Sequence, residues 1–335
     1  MSSNPRACLF GLSGLTLTAD ERAFFMESQP LGFILFARNI ESPGQVSALV
    51  DSLRACAGRN DAPVLIDQEG GRVARLKPPH WHRLPAAAAV AALPPDEAEE
   101  ASWLVGRLIA ADVGSLGIDV ACAPVLDVLQ PDVATDVIGD RSYGNDPASV
   151  AKLGRAMADG LFAGGVLPVA KHIPGHGRAQ LDSHHDLPRV NAPLDALERT
   201  DFAPFRALNN LPIGMTAHIV FEAIDPDLPA TQSPRLIDDV IRGWMGFDRF
   251  LLSDDVCMQA LTGSISERTA KAVSAGCDAV LHCNGELAEM QEVAAAAPIL
   301  TGVSWERWQR IERPAVQSFD IAEGEARLAA LVPQT

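Results

Sequence analysis

The chain has 335 residues and a formal net charge of −16, from 43 acidic against 27 basic side chains. That surplus leaves no electrostatic footprint for nucleic acid or an anionic membrane surface, and no apolar run nears the roughly 20 residues a membrane span needs. A small-molecule partner is expected, and the 47% hydrophobic content suffices for a large core. Met1-Ser2-Ser3-Asn4-Pro5-Arg6 lacks the basic start and apolar stretch of a signal peptide. The six scattered cysteines, several of them inside apolar runs, read as reduced thiols. A cytoplasmic monomer is the expectation.

Apolar runs that read as strands recur at Ala7–Gly11, Gly32–Phe36, Val64–Asp67, Ile118–Ala123, Leu167–Lys171, Ile213–Ala217, Arg249–Ser253 and Ala279–His282. Between them, helical spacing of apolar residues marks Gln45–Cys56, Glu97–Gly114, Ala148–Ala163, Leu194–Asn209, Pro234–Trp244, Ser266–Ala275 and Leu287–Ala296. Strand alternating with helix predicts an α/β fold with a parallel sheet. Eight such units match a closed (β/α)8 TIM barrel better than an open doubly wound sheet, whose Gly-rich phosphate turn is absent. Lys77–Pro85 and Leu93–Pro95 read as a long loop after the third strand, so residues 1–335 are expected to form one domain. From about residue 303, Trp305, Trp308, Ile311, Ala326, Leu328 and Leu331 predict a C-terminal helical extension packed outside the barrel.

In such a barrel catalytic groups sit at the C-terminal strand ends, and ionisable residues are expected to be sparse at the other end. The third predicted strand ends in Asp67-Gln68-Glu69-Gly70-Gly71-Arg72, the fifth in Lys171-His172, the sixth in His218, the seventh in Asp254-Asp255 and the eighth in His282. Each alone has a plain explanation: an Asp can cap a helix and a His can be a hydrogen-bonded core residue. Five strand ends in agreement point to a site. The densest cluster is Lys171-His172-Ile173-Pro174-Gly175-His176-Gly177, followed by Asp182-Ser183-His184-His185-Asp186. Unpaired polar groups after a buried strand cost several kcal/mol each, so a cluster of this kind implies use.

Gly-x-Ser-x-Gly, the serine-nucleophile signature, is absent. The carboxylates and imidazoles suit glycosidic-bond cleavage, in which one group protonates the leaving oxygen and another meets the charge developing on the sugar. Asp254 suits the second role. His184 suits the first if Asp182, two positions away, favours its imidazolium form. Gly175 and Gly177 would let that loop bend and close over substrate.

The stretches Gly32-Phe33-Ile34-Leu35-Phe36-Ala37-Arg38-Asn39, Asp67 through Leu76, Asp140-Arg141-Ser142-Tyr143-Gly144, the Lys171 run, Met215-Thr216-Ala217-His218 and Ser253-Asp254-Asp255 carry a resemblance. In them the chain resembles the bacterial β-N-acetylglucosaminidases of glycoside hydrolase family 3, in the short single-domain cytoplasmic form that recycles cell-wall muropeptides. The resemblance covers about residues 7–300. It implies a retaining hydrolase that removes a terminal β-linked N-acetylglucosamine, without a cofactor or catalytic metal. It further implies Asp254 as nucleophile, His184 as acid/base partnered by Asp182, and Asp67, Arg75, Arg141, Lys171 and His172 as sugar-binding residues. Two positions depart from the family pattern, Gln232 after the sixth strand and His282 on the eighth. Both bear on the shape of the aglycone side, and His282 reads either as a barrel-mouth residue or as a structural one.

Three alternatives remain at this level. Histidine as acid/base leaves no anion to repel an anionic nucleophile, so phosphorolysis of the same substrates is the nearest. A metal-dependent barrel hydrolase using His172, His176, Asp182, His184, His185 and Asp186 would be expected to carry a His-x-His on the first strand, which Ala7–Gly14 lacks. A silent sugar-binding barrel would have no need of Asp182, His184 and Asp254 together. His176 reads as a loop-fixing or a substrate-facing residue, Asp255 as a structural partner, and Pro78-Pro79-His80-Trp81-His82 as a cleft lip or a locally packed loop.

Overall fold

The computed structural model describes residues 4–130, 137–179 and 187–333. Eight parallel strands close into a barrel: β1 (Arg6–Phe10), β2 (Pro30–Leu35), β3 (Val64–Ile66), β4 (Val120–Ala121), β5 (Leu167–Ile173), β6 (Ile213–Thr216), β7 (Phe250–Asp255) and β8 (Ala279–His282). Each pairs with its neighbours in sequence, and β1 meets β8 through Cys8↔Val280 and Leu9↔Leu281. This is the predicted (β/α)8 topology.

Side chains alternate across each strand and so divide the core in two. Leu9, Ile34, Leu65, Val120, Val169, Ile213, Phe250 and Leu281 fill the barrel interior. Their neighbours Cys8, Phe10, Phe33, Ile66, Ala121, Ala170, Leu251 and Val280 face the helical layer. Two of those helices, Pro95–Gly114 and Pro147–Ala163, cross so closely that a Cβ on Gly106 would lie 2.2 Å from the Met157 carbonyl oxygen, and one on Gly160 2.2 Å from that of Trp103. Only glycine permits this approach.

The helices differ from expectation in several places, and two of these have a local cause. Ala19–Ser28, which lacks a strong apolar stripe, is helical and starts at a capping box: Thr18 Oγ1 accepts from Glu21 N, and Glu21 Oε2 accepts from Thr18 N. The predicted helix Leu194–Asn209 is broken into Leu194–Arg199 and Ala203–Ala207. Pro204 explains the break, because it tolerates only the first helical turn. Leu236–Trp244 winds as a π-helix.

The base of the barrel departs further from the prediction. Trp305, Trp308 and Ile311 do not pack outside the barrel but against its interior cluster, with the Trp308 ring 5.1 Å from that of Phe250. The final helix, Ile321–Leu331, does lie outside, burying Leu328 and Leu331 in the helical layer. Nor is the base poor in ionisable groups. Asp119, just before β4, accepts from Val64 N and faces Arg54 and Arg313. Asp278, just before β8, accepts from Leu251 N, Ser304 Oγ, Arg242 and Arg307. These are structural ties between strand starts and the segment that seals the floor.

Asp278 is almost fully buried, and its removal would leave two arginines without their shared anion. Asp278→Ala is expected to lose roughly 3–5 kcal/mol of unfolding free energy. Denaturant titration by circular dichroism measures this, and an unchanged midpoint would show that water already solvates the two guanidinium groups.

Candidate active site

At the C-terminal ends of the strands lies a cleft of about 250 Å3 lined by Asp67, Arg75, Arg141, Lys171, His172, Asp254 and Met258, among others. A larger cavity of about 620 Å3, bounded by Leu76, His82, Leu84 and Leu328, shares none of the cleft's lining residues. Of the predicted site residues, the cleft brings together Asp67, Arg75, Arg141, Lys171, His172 and Asp254. Asp182 and His184 lie outside the described residues.

The cleft is built around the buried ammonium of Lys171, on β5. Its Nζ lies 2.8 Å from Asp67 Oδ1 and 2.6 Å from Glu69 Oε1. Arg141 grips Glu69 with two parallel hydrogen bonds, Nε to Oε2 at 2.9 Å and Nη2 to Oε1 at 2.8 Å. Arg75 Nη2 reaches Asp67 Oδ2 at 3.2 Å, and its guanidinium lies over the Phe36 ring. Burial alone would raise both carboxyl pKa values. Lys171 and Arg75 nevertheless hold Asp67 well below the usual range, and Lys171 and Arg141 hold Glu69 below it. Burial would lower Lys171, but the two carboxylates keep it well above the ordinary lysine value. Three cations on two carboxylates leave one positive charge in excess.

A second set of bonds orients His172. Its Nδ1 lies 2.7 Å from Asp127 Oδ2, while Asp127 Oδ1 accepts from the backbone N–H of His172 and of His176. Asp127 is completely buried, and although burial would raise its pKa, His172 and His176 hold it low. A carboxylate on Nδ1 leaves Nε2 as the ring nitrogen free of Asp127. The ring of His176 packs edge-on against His172, and burial first, then His172, depress its pKa to about 4. His176 therefore serves as a neutral, loop-fixing residue. Gly175 and Gly177 are required by close packing: a Cβ on Gly177 would sit 1.8 Å from the Val128 carbonyl oxygen, and Gly175 has φ 145° against the Asp201 backbone.

Asp254 ends β7 and points into the cleft, its Oδ1 accepting from Asp255 N at 2.8 Å. Burial would raise its pKa, but His218, His172, the Asp255 backbone N–H and Lys171 together hold it below the ordinary aspartate range. Asp255 has the structural role expected of it, its Oδ1 accepting from Cys257 N and Cys283 N. His218 does not line the cleft. Its Nε2 donates to the Asp255 carbonyl and its Nδ1 meets Thr231 Oγ1, while burial lowers its pKa.

Three positions with open readings lie outside the cleft. His282 is no barrel-mouth residue: it is fully buried, turned toward Glu289, with its ring edge-on to Phe10. Gln232 is likewise buried away from the cleft, beside the Arg268 carbonyl. The Pro78–His82 stretch does not line the cleft either, because His82 Nδ1 is held 2.7 Å from Asp112 Oδ1. Two supporting residues had no role assigned, Glu69 and Asp127. The signal for Asp127 was present, a lone acid in the apolar run Val125-Leu126-Asp127-Val128.

Lys171→Met should destabilise the fold at neutral pH by roughly 1–3 kcal/mol, because it removes the ammonium that Asp67 and Glu69 share and leaves each buried carboxylate with a single arginine. The penalty shrinks as pH falls, since protonated carboxyls no longer need the ammonium. Urea denaturation of both proteins across the acid range checks this, and a penalty independent of pH would contradict it.

Residues 13–310 match the glycosyl hydrolase family 3 N terminal domain. A β-hexosaminidase of Alkalilimnicola ehrlichii is 41% identical over 283 residues, which are 82% of this chain and 80% of that protein. A β-hexosaminidase of Pseudomonas aeruginosa is 36% identical over 96% of both chains. Native NagZ from Neisseria gonorrhoeae superposes with TM-score 0.88 at 32% identity, covering 99% of each chain. The same enzyme in complex with N-trifluoroacetyl-D-glucosamine superposes with TM-score 0.87 at 32% identity, over 98% of this chain and 99% of the other. The chain belongs to glycosyl hydrolase family 3 and is a glycoside hydrolase of its β-N-acetylhexosaminidase branch.

Proposed function

We propose that the protein is a retaining β-N-acetylglucosaminidase that releases a non-reducing terminal N-acetylglucosamine, with GlcNAc-anhydro-muramyl peptides of cell-wall recycling as its substrates. The observation that carries this reading is Asp254, a carboxylate held ionised at the floor of a cleft whose opposite wall is a fixed set of hydrogen-bonding cations and carboxylates. The relatives named β-hexosaminidase and the sugar analogue in the NagZ complex support the substrate class.

In this mechanism Asp254 attacks the anomeric carbon while His184, protonated and partnered by Asp182, gives its proton to the leaving oxygen. The neutral imidazole then takes a proton from water, which cleaves the glycosyl ester with overall retention. Asp67 accepts hydrogen bonds from sugar hydroxyls, and Arg75, Arg141, Lys171 and His172 supply donors to hydroxyl and N-acetyl oxygens. Their mutual ion pairs hold them in place before substrate arrives, which lowers the ordering cost of binding.

Turnover of an aryl β-N-acetylglucosaminide tests the reading. His184→Ala should lose about 10²–10⁴-fold in kcat/KM and regain rate with azide, whereas Asp254→Asn should lose more and not be rescued. Full activity in Asp254→Asn would end the mechanism. A sugar phosphate as the main product in phosphate buffer would make the enzyme a phosphorylase, and loss of turnover on chelation would favour metal-dependent hydrolysis. Because its neighbours hold Asp254 low, the acidic limb of kcat/KM should lie below the ordinary aspartate range. A limb in the normal carboxylate range would remove Asp254 as the titrating nucleophile.

A further inference from the structure

Near the ends of β7 and β8, three side chains that do not line the cleft and are unused by the mechanism converge. Cys257 follows β7, His282 ends β8, and Glu289 lies in the first turn of the helix Leu287–Ala296. One donor atom from each lies within 4.8 Å of the other two. We propose that Cys257, His282 and Glu289 form a binding site for a borderline divalent cation of the zinc class, separate from the catalytic cleft.

His282 is the first support. It is fully buried, its Nε2 is 3.3 Å from Glu289 Oε2, and its Nδ1 has no hydrogen-bond partner among the described residues. Buried polar atoms are nearly always matched, so the arrangement calls for a ligand or an explanation. Burial favours the neutral ring, which always keeps one nitrogen lone pair available to a metal.

The donor chemistry is the second. A thiol sulfur, an imidazole nitrogen and a carboxylate oxygen suit zinc or cobalt, and are a poor set for magnesium or calcium, which take oxygen alone. Glu289 is partly exposed, its side chain 37% accessible, which gives an ion a route in from solvent and leaves room for a water ligand. Asn284 Nδ2 already fixes the carboxylate at 2.5 Å, as outer partners of metal ligands commonly do. Binding requires that Cys257 lose its proton to solvent, which burial and then Asp255 oppose. A dication reverses that local balance. The other charges nearby are the Asp255 carboxylate, which favours a cation, and the Arg38 guanidinium, which does not.

The test uses the full chain, reduced and stripped of metal by chelation, titrated with Co²⁺. One equivalent should produce the near-ultraviolet thiolate-to-cobalt charge-transfer band together with tetrahedral visible bands, and Zn²⁺ should erase both. Cys257→Ser should lose the charge-transfer band, and His282→Gln, chosen to keep the volume, should weaken binding more than about tenfold. Asp254→Asn and His184→Ala should retain the band, because the site is not in the cleft. If the wild type shows no charge-transfer band, or if the band survives in Cys257→Ser, the proposal is overturned. Circular dichroism of each variant verifies folding. Should a variant fail to fold, the wild type decides: its thermal midpoint should rise with Zn²⁺ and not with Mg²⁺, and no rise with Zn²⁺ refutes the site.

Discussion

Lys171 places an ammonium in an almost waterless position, and the charged cluster around it, Lys171 included, draws on three separate stretches of chain. Asp67 and Glu69 follow β3, and Arg141 arrives from the loop after β4. Buried ion pairs contribute little net stability, because desolvation cancels most of the attraction. What such a cluster does supply is position. Each charge is met by its neighbours in the cluster, so the cleft-lining side chains of Asp67, Arg75 and Arg141 are held in place by one another. Against burial, which raises the Asp254 pKa, Lys171 adds the last and smallest of the contributions that lower it, after His218, His172 and the Asp255 N–H.

The two neighbouring aspartates at the end of β7 show how strand geometry divides labour. Successive side chains on a strand face opposite ways. Asp254 therefore enters the cleft, while Asp255 turns back and accepts from the backbone of Cys257 and Cys283, its own carbonyl taking the His218 Nε2–H. Asp254 thus sits beside a residue held at three points. His218, which follows β6 and reads in sequence as one more site residue, is one of those holds.

Most of the fold was legible in the sequence because a barrel strand buried on both faces must be apolar, and all eight such runs became strands. Where the reading stopped short, the reason was long range. Helical spacing could show Trp305 and Trp308 as apolar, but not that they would meet Phe250 across the floor. Glycines 175 and 177 read as hinges, since nothing local reveals the Val128 carbonyl that excludes a Cβ. In the site, residue type and strand-end placement singled out Asp67, Lys171 and Asp254, which the fold brings to one cleft. Glu69 and Asp127 escaped because their work is done on other side chains. His282 shows the ambiguity of a strand-end histidine: residue type allows a mouth position or a structural one, and only packing shows that it faces Glu289 and Phe10 and does not line the cleft.

The sealed floor has a consequence for traffic. With Trp305, Trp308 and Ile311 packed against the interior cluster from below, the cleft is reached from the C-terminal ends of the strands. In the two-displacement reaction proposed above, sugar and leaving group would share that side, and the severed aglycone would have to clear it before water reached the sugar left behind. Large leaving groups would then compete with water for the same opening, so the size of the departing fragment, as much as its chemistry, would set the pace of the second half of the cycle.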